Sequence, residues 1–344
     1  MTTLTRAKNE GALAGAAGAF ARSRELGVLL AFLLLLIVTV SQNPLFLFGP
    51  DGPRDLLLSP AILVILATGQ AIVLITRNID LSVGSVLGLS AWLTGRLFID
   101  FPGIPVLLVV LAGVCFGALL GMVNGLLVAI AKAPALVVTL GTLYAYRGIN
   151  VAWSHSSMIN ATQLPHDFLA FGIGTVFGIP SLAIVAVVVL LAAAWYLKNK
   201  RGGREFYAIG SDPEAARLYG LNVTRRLLIA FAASGALAGL SGVLFTARYG
   251  TIDSQAGSGL ELSAVAAAVI GGVAIFGGSG SVWGAGIGAL LLVSINRALP
   301  LLGIPDFWQQ AVVGVLILGA IVLDRILSLR QAHRFTSIRE SSHD

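Results

Sequence analysis

Charge is what this sequence has least of. Asp, Glu, Lys and Arg make up 11% of its 344 residues, less than half the roughly 25% of a soluble domain. With 57% hydrophobic residues and a mean hydropathy of +0.91, a water-soluble fold of this length is excluded. Cysteine is nearly missing. Cys115 stands alone, so no disulfide can form within the chain, and a thiol inside an apolar run reads as a small core residue. The four histidines, at 155, 166, 333 and 343, lack metal-ligand spacing. Lysine is scarce too. Lys8, Lys132, Lys198 and Lys200 are the only four, none follows a glycine, and a phosphate-cradling loop needs Gly-Lys-Ser/Thr. The chain itself is therefore expected to bind no nucleotide, metal or other cofactor. An intramembrane enzyme would need a nucleophile and base or a metal cluster in its apolar runs, and none is apparent.

Apolar runs are what it has in plenty. A bilayer-crossing helix takes roughly 20 of them in a row, and ten candidates appear: 26–46, 56–76, 81–99, 104–131, 134–153, 178–197, 227–247, 262–279, 282–302 and 309–327. Gly and Ser interrupt the third and eighth. Arg22, Arg24 and Glu25 precede the first, which reads as an uncleaved anchor because no small-residue cleavage site follows and nine further spans do. The expectation is an all-α integral membrane protein. It has a cytoplasmic tail over 1–25, a permease-like membrane domain over 26–327 with a cytoplasmic loop at 198–226, and a cytoplasmic tail over 328–344.

The formal net charge of +6 does not indicate nucleic acid, because the basic residues flank apolar segments. With both termini inside, only Arg54, Arg96, Arg147, Arg248 and Arg297 of the 22 Lys and Arg fall outside. That asymmetry is the positive-inside rule. Trp153 and Trp308, at span ends, read as interfacial anchors.

The two halves of the chain echo each other. Asp80-Leu81-Ser82 opens the third span and Glu261-Leu262-Ser263 the eighth. Gly121 to Lys132 resembles Gly284 to Arg297, and Pro134 and Pro305 each lead a following helix. The reading places the first set at an outside end and the second at an inside end, an inverted repeat of the kind common in transporters. Glycines at 113, 117, 121 and 125, and again at 280, 284 and 288, are expected to line helix faces in close helix–helix contact.

The longest polar interruption is 201–226. Within it, residues 210–220 read as a short bounded helix. Asp212 caps it, Pro213 takes the first turn, Glu214 complements the positive dipole end, and Gly220 stops it in a left-handed conformation. A helix this short is marginal alone in water. It reads either as an ordinary surface helix or as a knob docked into another protein.

Glu214-Ala215-Ala216-x-x-x-Gly220 resembles the coupling loop of permease subunits in ATP-binding-cassette importers. Gly203, Arg204, Ala208, Ile209, Gly210 and Arg217 narrow the resemblance to the ribose-type permeases. Three further stretches agree: Thr76 to Ser85, Pro134 to Arg147 and Ile270 to Gly284. Together the matches run in order from about 60 to 325. Where many members have Gly-Gly-Ile-Asp, this chain has Arg77-Asn78-Ile79-Asp80, which resembles the branch handling rhamnose and autoinducer-2.

The resemblance implies a type II importer-like architecture of about ten helices, inverted repeats and broken helices, in a bacterial inner membrane. It implies two permease chains, the second either another copy or a sister. It also implies ATPase subunits that use ATP and Mg, a periplasmic or lipid-anchored solute-binding protein, membrane lipid as surroundings, and no nucleic acid. Asp212, Glu214, Ala215, Ala216, Arg217 and Gly220 would couple to the ATPase. The cargo would be a sugar or sugar-like solute such as rhamnose, autoinducer-2 or ribose. Pathway candidates are polar groups at the broken spans, where irregular backbone is tolerated only along a cavity. These are Asn78, Asp80, Ser82 and Ser85, with Asn124, Thr139 and Thr142 on neighbouring spans, and Glu261 with Ser263. Asp80 and Glu261 read equally as helix caps. An amino-acid permease, an exporter on the same scaffold, or an ion-coupled carrier are the other readings.

Overall fold

The computed structural model describes residues 24–305 and nine further positions between 307 and 322. The expected tails, most of the tenth span and the helix expected after Pro305 lie outside the described residues. Fourteen α-helices are described: α1 Arg24–Gln42, α2 Leu45–Phe48, α3 Gly52–Leu58, α4 Ala61–Ile75, α5 Val83–Asp100, α6 Val106–Ala129, α7 Ala135–Ser154, α8 His166–Ile173, α9 Ser181–Asn199, α10 Arg201–Ser211, α11 Pro213–Leu218, α12 Val223–Tyr249, α13 Leu260–Ile270 and α14 Val282–Leu301. A two-stranded antiparallel ribbon, β1 Thr175–Val176 and β2 Ile179–Pro180, joins α8 to α9.

Among the described residues, six helical stretches are long and apolar enough to cross a membrane: 25–42, 52–75, 106–129, 181–199, 223–249 and 282–301. Helices α5 and α7 have 18 and 20 residues but carry more polar side chains. One expected span is corrected. The eighth, 262–279, is helical only to Ile270, because Gly271 and Gly272 open a loop that runs to Ser281. Eleven residues rise about 16 Å, half a bilayer.

Helix α4 is apolar on every side, and each of its residues is buried, so it forms the centre of the bundle. Beside it α6 and α12 meet backbone to backbone. A Cβ at Gly117 would stand 2.2 Å from the Gly235 carbonyl oxygen, and one at Gly121 the same distance from that of Phe231. Without a hydrophobic drive between helices in lipid, such contact is what associates them. The second glycine row is only partly helical. Gly284 and Gly288 pack on Gly271 and Ala267, but Gly280 lies ahead of α14 at φ 125°. Cys115 is exposed, not in the core, because it falls on the face of α6 turned away from α12.

Two ends can be told apart. At one, α10, α11 and the loop between α13 and α14 gather under the end of α4: Gly278 N donates to Ile75 O at 3.0 Å, Tyr207 OH to Gly280 O at 3.1 Å, and Gly210 of α10 lies directly on Ile75 O. At the other, residues 159 and 252 pair as an isolated bridge beneath the start of α4. Asp80 stands toward the α10–α11 end, whereas α13 starts away from it and runs toward it. The two motifs thus run in opposite senses as expected, but exchanged: the first begins nearer the end that carries the 198–226 loop.

Candidate functional site

The α4–α5 break is organised around Asp80. The chain leaves α4 through Arg77, a non-glycine residue at φ 67°, and reaches a fully buried carboxylate. Its Oδ1 accepts from Ser82 N at 3.0 Å and Ser82 Oγ at 2.7 Å, and its Oδ2 accepts from Ser234 Oγ on α12 at 3.1 Å. Asn124 of α6 donates to Ser82 Oγ at 2.7 Å. The Gln70 amide, oriented to satisfy both groups, brackets the Asp80 backbone at 3.0 and 3.3 Å. Thr139 Oγ1 of α7 reaches Ile79 O at 3.2 Å, Ser85 Oγ reaches Leu143 O at 2.8 Å, and Thr142 Oγ1 reaches Thr139 O at 3.3 Å. These bonds tie five helices to one irregular turn. Asp80 does not cap the helix that follows: Oδ1 takes the amide of Ser82, the residue just ahead of α5, and no side chain caps that helix start.

The α12–α13 break lies against the same helix. Residues 252–257 run back along α5: a Cβ at Gly88 would meet the Ala256 oxygen at 2.5 Å, and one at Gly84 would meet the Gly257 oxygen at 2.7 Å and Glu261 Oε2 at 2.1 Å. Glycine is required at both places. Glu261 Oε1 accepts from Gly259 N at 3.2 Å, while Oε2 is buried with no hydrogen-bond partner among the described residues. So the Asp80 and Glu261 motifs meet within four residues of each other, at Gly84.

Beyond this contact, toward the end away from α10 and α11, lies a cavity of about 500 Å³ lined by Arg248, Tyr249, Asp253, Gln255, Ser258 and Ser263 among others. Phe245 and Tyr249 form a tilted ring pair 4.5 Å apart on its wall. Arg248 is held by Leu58 O and, at 3.3 Å, by Ser59 Oγ. Of the nine expected pathway residues, only Ser263 lines this cavity.

A second cavity, about 530 Å³, opens at the α10–α11 end between the α4–α5 turn, the α6–α7 turn and α11. Asn78 lines it, with Arg77, Lys132 and Arg217. The side chains of these three cations have no hydrogen-bond or ion-pair partner among the described residues. Asp80, Ser82, Ser85, Asn124 and Thr139 are buried away from both cavities.

Helix α11 follows its expected design from Asp212 on, while Gly210 and Ser211, expected to open it, close α10 instead. Asp212 Oδ1 accepts from Glu214 N at 2.9 Å and Ala215 N at 3.0 Å. Pro213 occupies the first turn, and Gly220 stops the chain at φ 78°. Ala216 is buried against Ile209 and Val223, fixing which face is hidden. Leu218 and Tyr219 project with 88% and 87% of their surface exposed. Behind them, Glu205 of α10 accepts from Arg226 at 2.5 Å and Arg201 at 2.9 Å. The Arg226 hydrogen bond is the main reason its carboxyl titrates below the ordinary value.

Two members of the Asp80 cluster are additional to the expected residues. Gln70 is a lone amide inside the apolar run 56–76, a signal in itself. Ser234 sits in a small-residue stretch of α12, and nothing in its spacing sets it apart.

Residues 53–321 match the family described as branched-chain amino acid transport system, permease component. The chain is 39% identical over 312 residues to the "Autoinducer 2 import system permease protein LsrC" of Enterobacter sp. (strain 638), covering 90% of this chain and 89% of that one. It is 38% identical to the Klebsiella pneumoniae protein of the same name, over 90% and 88% of the two chains. For the Escherichia coli O157:H7 protein the figures are 37%, 88% and 87%. No solved structure matches the chain significantly. The chain belongs to this permease family, on the autoinducer-2 side of the ribose-type branch, and is a multi-pass membrane transport subunit of an import system and not an enzyme.

Proposed function

We propose that this chain is the permease subunit through which an ATP-binding-cassette importer moves autoinducer-2 or another sugar-like solute across a bacterial inner membrane. ATP is hydrolysed in a partner subunit, and a solute-binding protein delivers the cargo to a pair of permeases. The chain crosses the membrane about ten times in inverted repeats, with both termini and residues 198–226 in the cytosol. Residues 1–25 and 328–344 are its tails, and 26–327 its membrane domain. The single observation that carries the reading is α11: a capped, stopped helix of six residues that hides Ala216 and offers Leu218 and Tyr219. Such a helix gains its stability from what it docks into. Asp212, Glu214, Ala215, Ala216, Arg217 and Gly220 form this knob, and the partner is the ATPase.

The cargo assignment draws on the relatives' names and on the outer cavity. Its Arg248 and Asp253 cancel in formal charge, and its serines, Gln255 and the Phe245–Tyr249 pair suit a neutral polyhydroxylated solute. Ser263 opens the outer end of the route, and Asn78, bonded to Thr76, shapes the α4–α5 turn that bounds it. Asp80, Ser82, Ser85, Asn124, Thr139 and Thr142 set the geometry of its walls, and Glu261 holds the start of α13.

Glu214→Arg and Gly220→Pro test the knob, since proline cannot adopt φ 78°. Both variants are expected to reach the membrane yet lose the copurifying ATPase and ATP-driven uptake into vesicles. Normal uptake with the ATPase still bound would refute the coupling role. Uptake of branched-chain amino acids in preference to a labelled sugar panel would refute the cargo class.

A further inference from the structure

We propose that the cavity at the α10–α11 end is a binding site for the phosphate-bearing headgroup of an anionic phospholipid. The inference rests on the chain's being a membrane protein and not on the coupling reading. Arg77 and Lys132 face about 530 Å³ of open space with Arg217 of the knob at its edge, and no acidic residue lines it; the site proper is the Arg77–Lys132 pair. Like charges gathered without a counter-charge repel one another, so the site is completed by an anion from elsewhere.

Two of the three cations sit where the backbone disfavours them. Arg77 has φ 67° and Lys132 φ 55°, a region suited to glycine or asparagine. Either residue would relieve the turn, yet both turns carry a full positive charge that faces the same space. The Thr224 hydroxyl adds a further donor to the polar side, whereas the Asn78 amide is given to Thr76 O at 2.8 Å and to Thr76 Oγ1 at 3.2 Å.

The rest of the wall identifies the source of the phosphate. Ile79, Val128 and Leu136 line the cavity, and the apolar surface continues onto Ile130 and Val137, which are 61% and 65% exposed. A headgroup in the cavity would leave its acyl chains lying along the ends of α6 and α7. A soluble phosphate makes no use of that strip. Basic pockets at the ends of membrane helices are the usual form of headgroup recognition.

The test uses the full chain with whatever subunits copurify, in lipid nanodiscs, with native mass spectrometry counting retained phosphatidylglycerol against phosphatidylcholine. The wild type is expected to retain phosphatidylglycerol selectively. Arg77→Asn and Lys132→Asn, chosen because asparagine tolerates these backbone angles, should each weaken retention about fivefold, and the double variant should abolish the preference. Arg77→Lys with Lys132→Arg should keep it. Unchanged melting in purely zwitterionic nanodiscs separates loss of the site from loss of the fold. Equal retention by the double variant would overturn the proposal. So would full displacement of phosphatidylglycerol by excess inorganic phosphate, which would make the ligand a soluble anion. Loss of a copurifying subunit with lipid retention unchanged would do so as well, by giving the charges to a protein contact.

Discussion

The two ends of this molecule handle arginine in opposite ways. At the end away from α10 and α11, every arginine is tied down. Arg54 donates to Ile173 O at 2.6 Å, Arg147 to Ala256 O at 2.9 Å and Arg297 to Gly52 O at 3.1 Å, Arg248 holds Leu58 O, and Arg96 pairs with Asp100 at 2.5 Å. Most of these acceptors are backbone carbonyls at helix ends or in broken segments, which a guanidinium satisfies while gaining from the dipole. At the α10–α11 end, Arg201 and Arg226 pair with Glu205, but Arg77, Lys132 and Arg217 are free among the described residues, and rigidity around them comes from the buried Asp80 cluster. The first end commits its arginines to the fold. The second leaves these three cations for something outside it.

Removing Asp80 should break that contrast most. Asp80→Ala leaves donors from Ser82 and Ser234 without acceptors, at a cost of about 3 kcal/mol or more. The expected outcome is a sharply lower unfolding temperature in detergent, with Asp80→Asn recovering part of it. If Asp80→Ala melts like the wild type, the cluster does not hold the α4–α5 turn.

Arg248→Ala probes the pinned end and should cost about 2 kcal/mol, read as faster hydrogen exchange at the start of α4. No change there would mean the arginine contacts are incidental.

The smallest effect is at Glu205, whose pair with Arg226 is worth about 1 kcal/mol. Its carboxyl titrates below the usual glutamate value, so its contribution is full at neutral pH. That contribution starts to fade as pH falls through the ordinary value near about 4.3 and is gone only below the depressed native one. Hydrogen exchange in α10 should accelerate with acid in the wild type, and Glu205→Gln should flatten that dependence.

Much of this was legible in the sequence, for a physical reason. Apolar runs of span length and the cap-proline-glycine grammar of 212–220 are local signals, and the structure places α1, α4, α6, α9, α11, α12 and α14 close to where they point. The eighth span misled because Val273, Ala274, Ile275 and Phe276 keep the run apolar past Ile270, while the glycines that end the helix look like those that pack helices elsewhere. Helix α10 lay hidden in a polar loop, since its amphipathic face has meaning only against α4, α9 and α12. The meeting of Gly84 with Glu261 was out of reach too, being a contact between residues 177 positions apart.

The glycine seam between α6 and α12 has a mechanical corollary. Two helices whose backbones touch at Gly117 and Gly235 have no side-chain cushion to shear, so they behave as one stiff beam. Whatever rearrangement accompanies a turnover must therefore bend elsewhere, and a joint at hand is residues 250–259. Beyond it α13 and α14, locked by their own contacts at Gly271 and Gly288, would tilt as one piece.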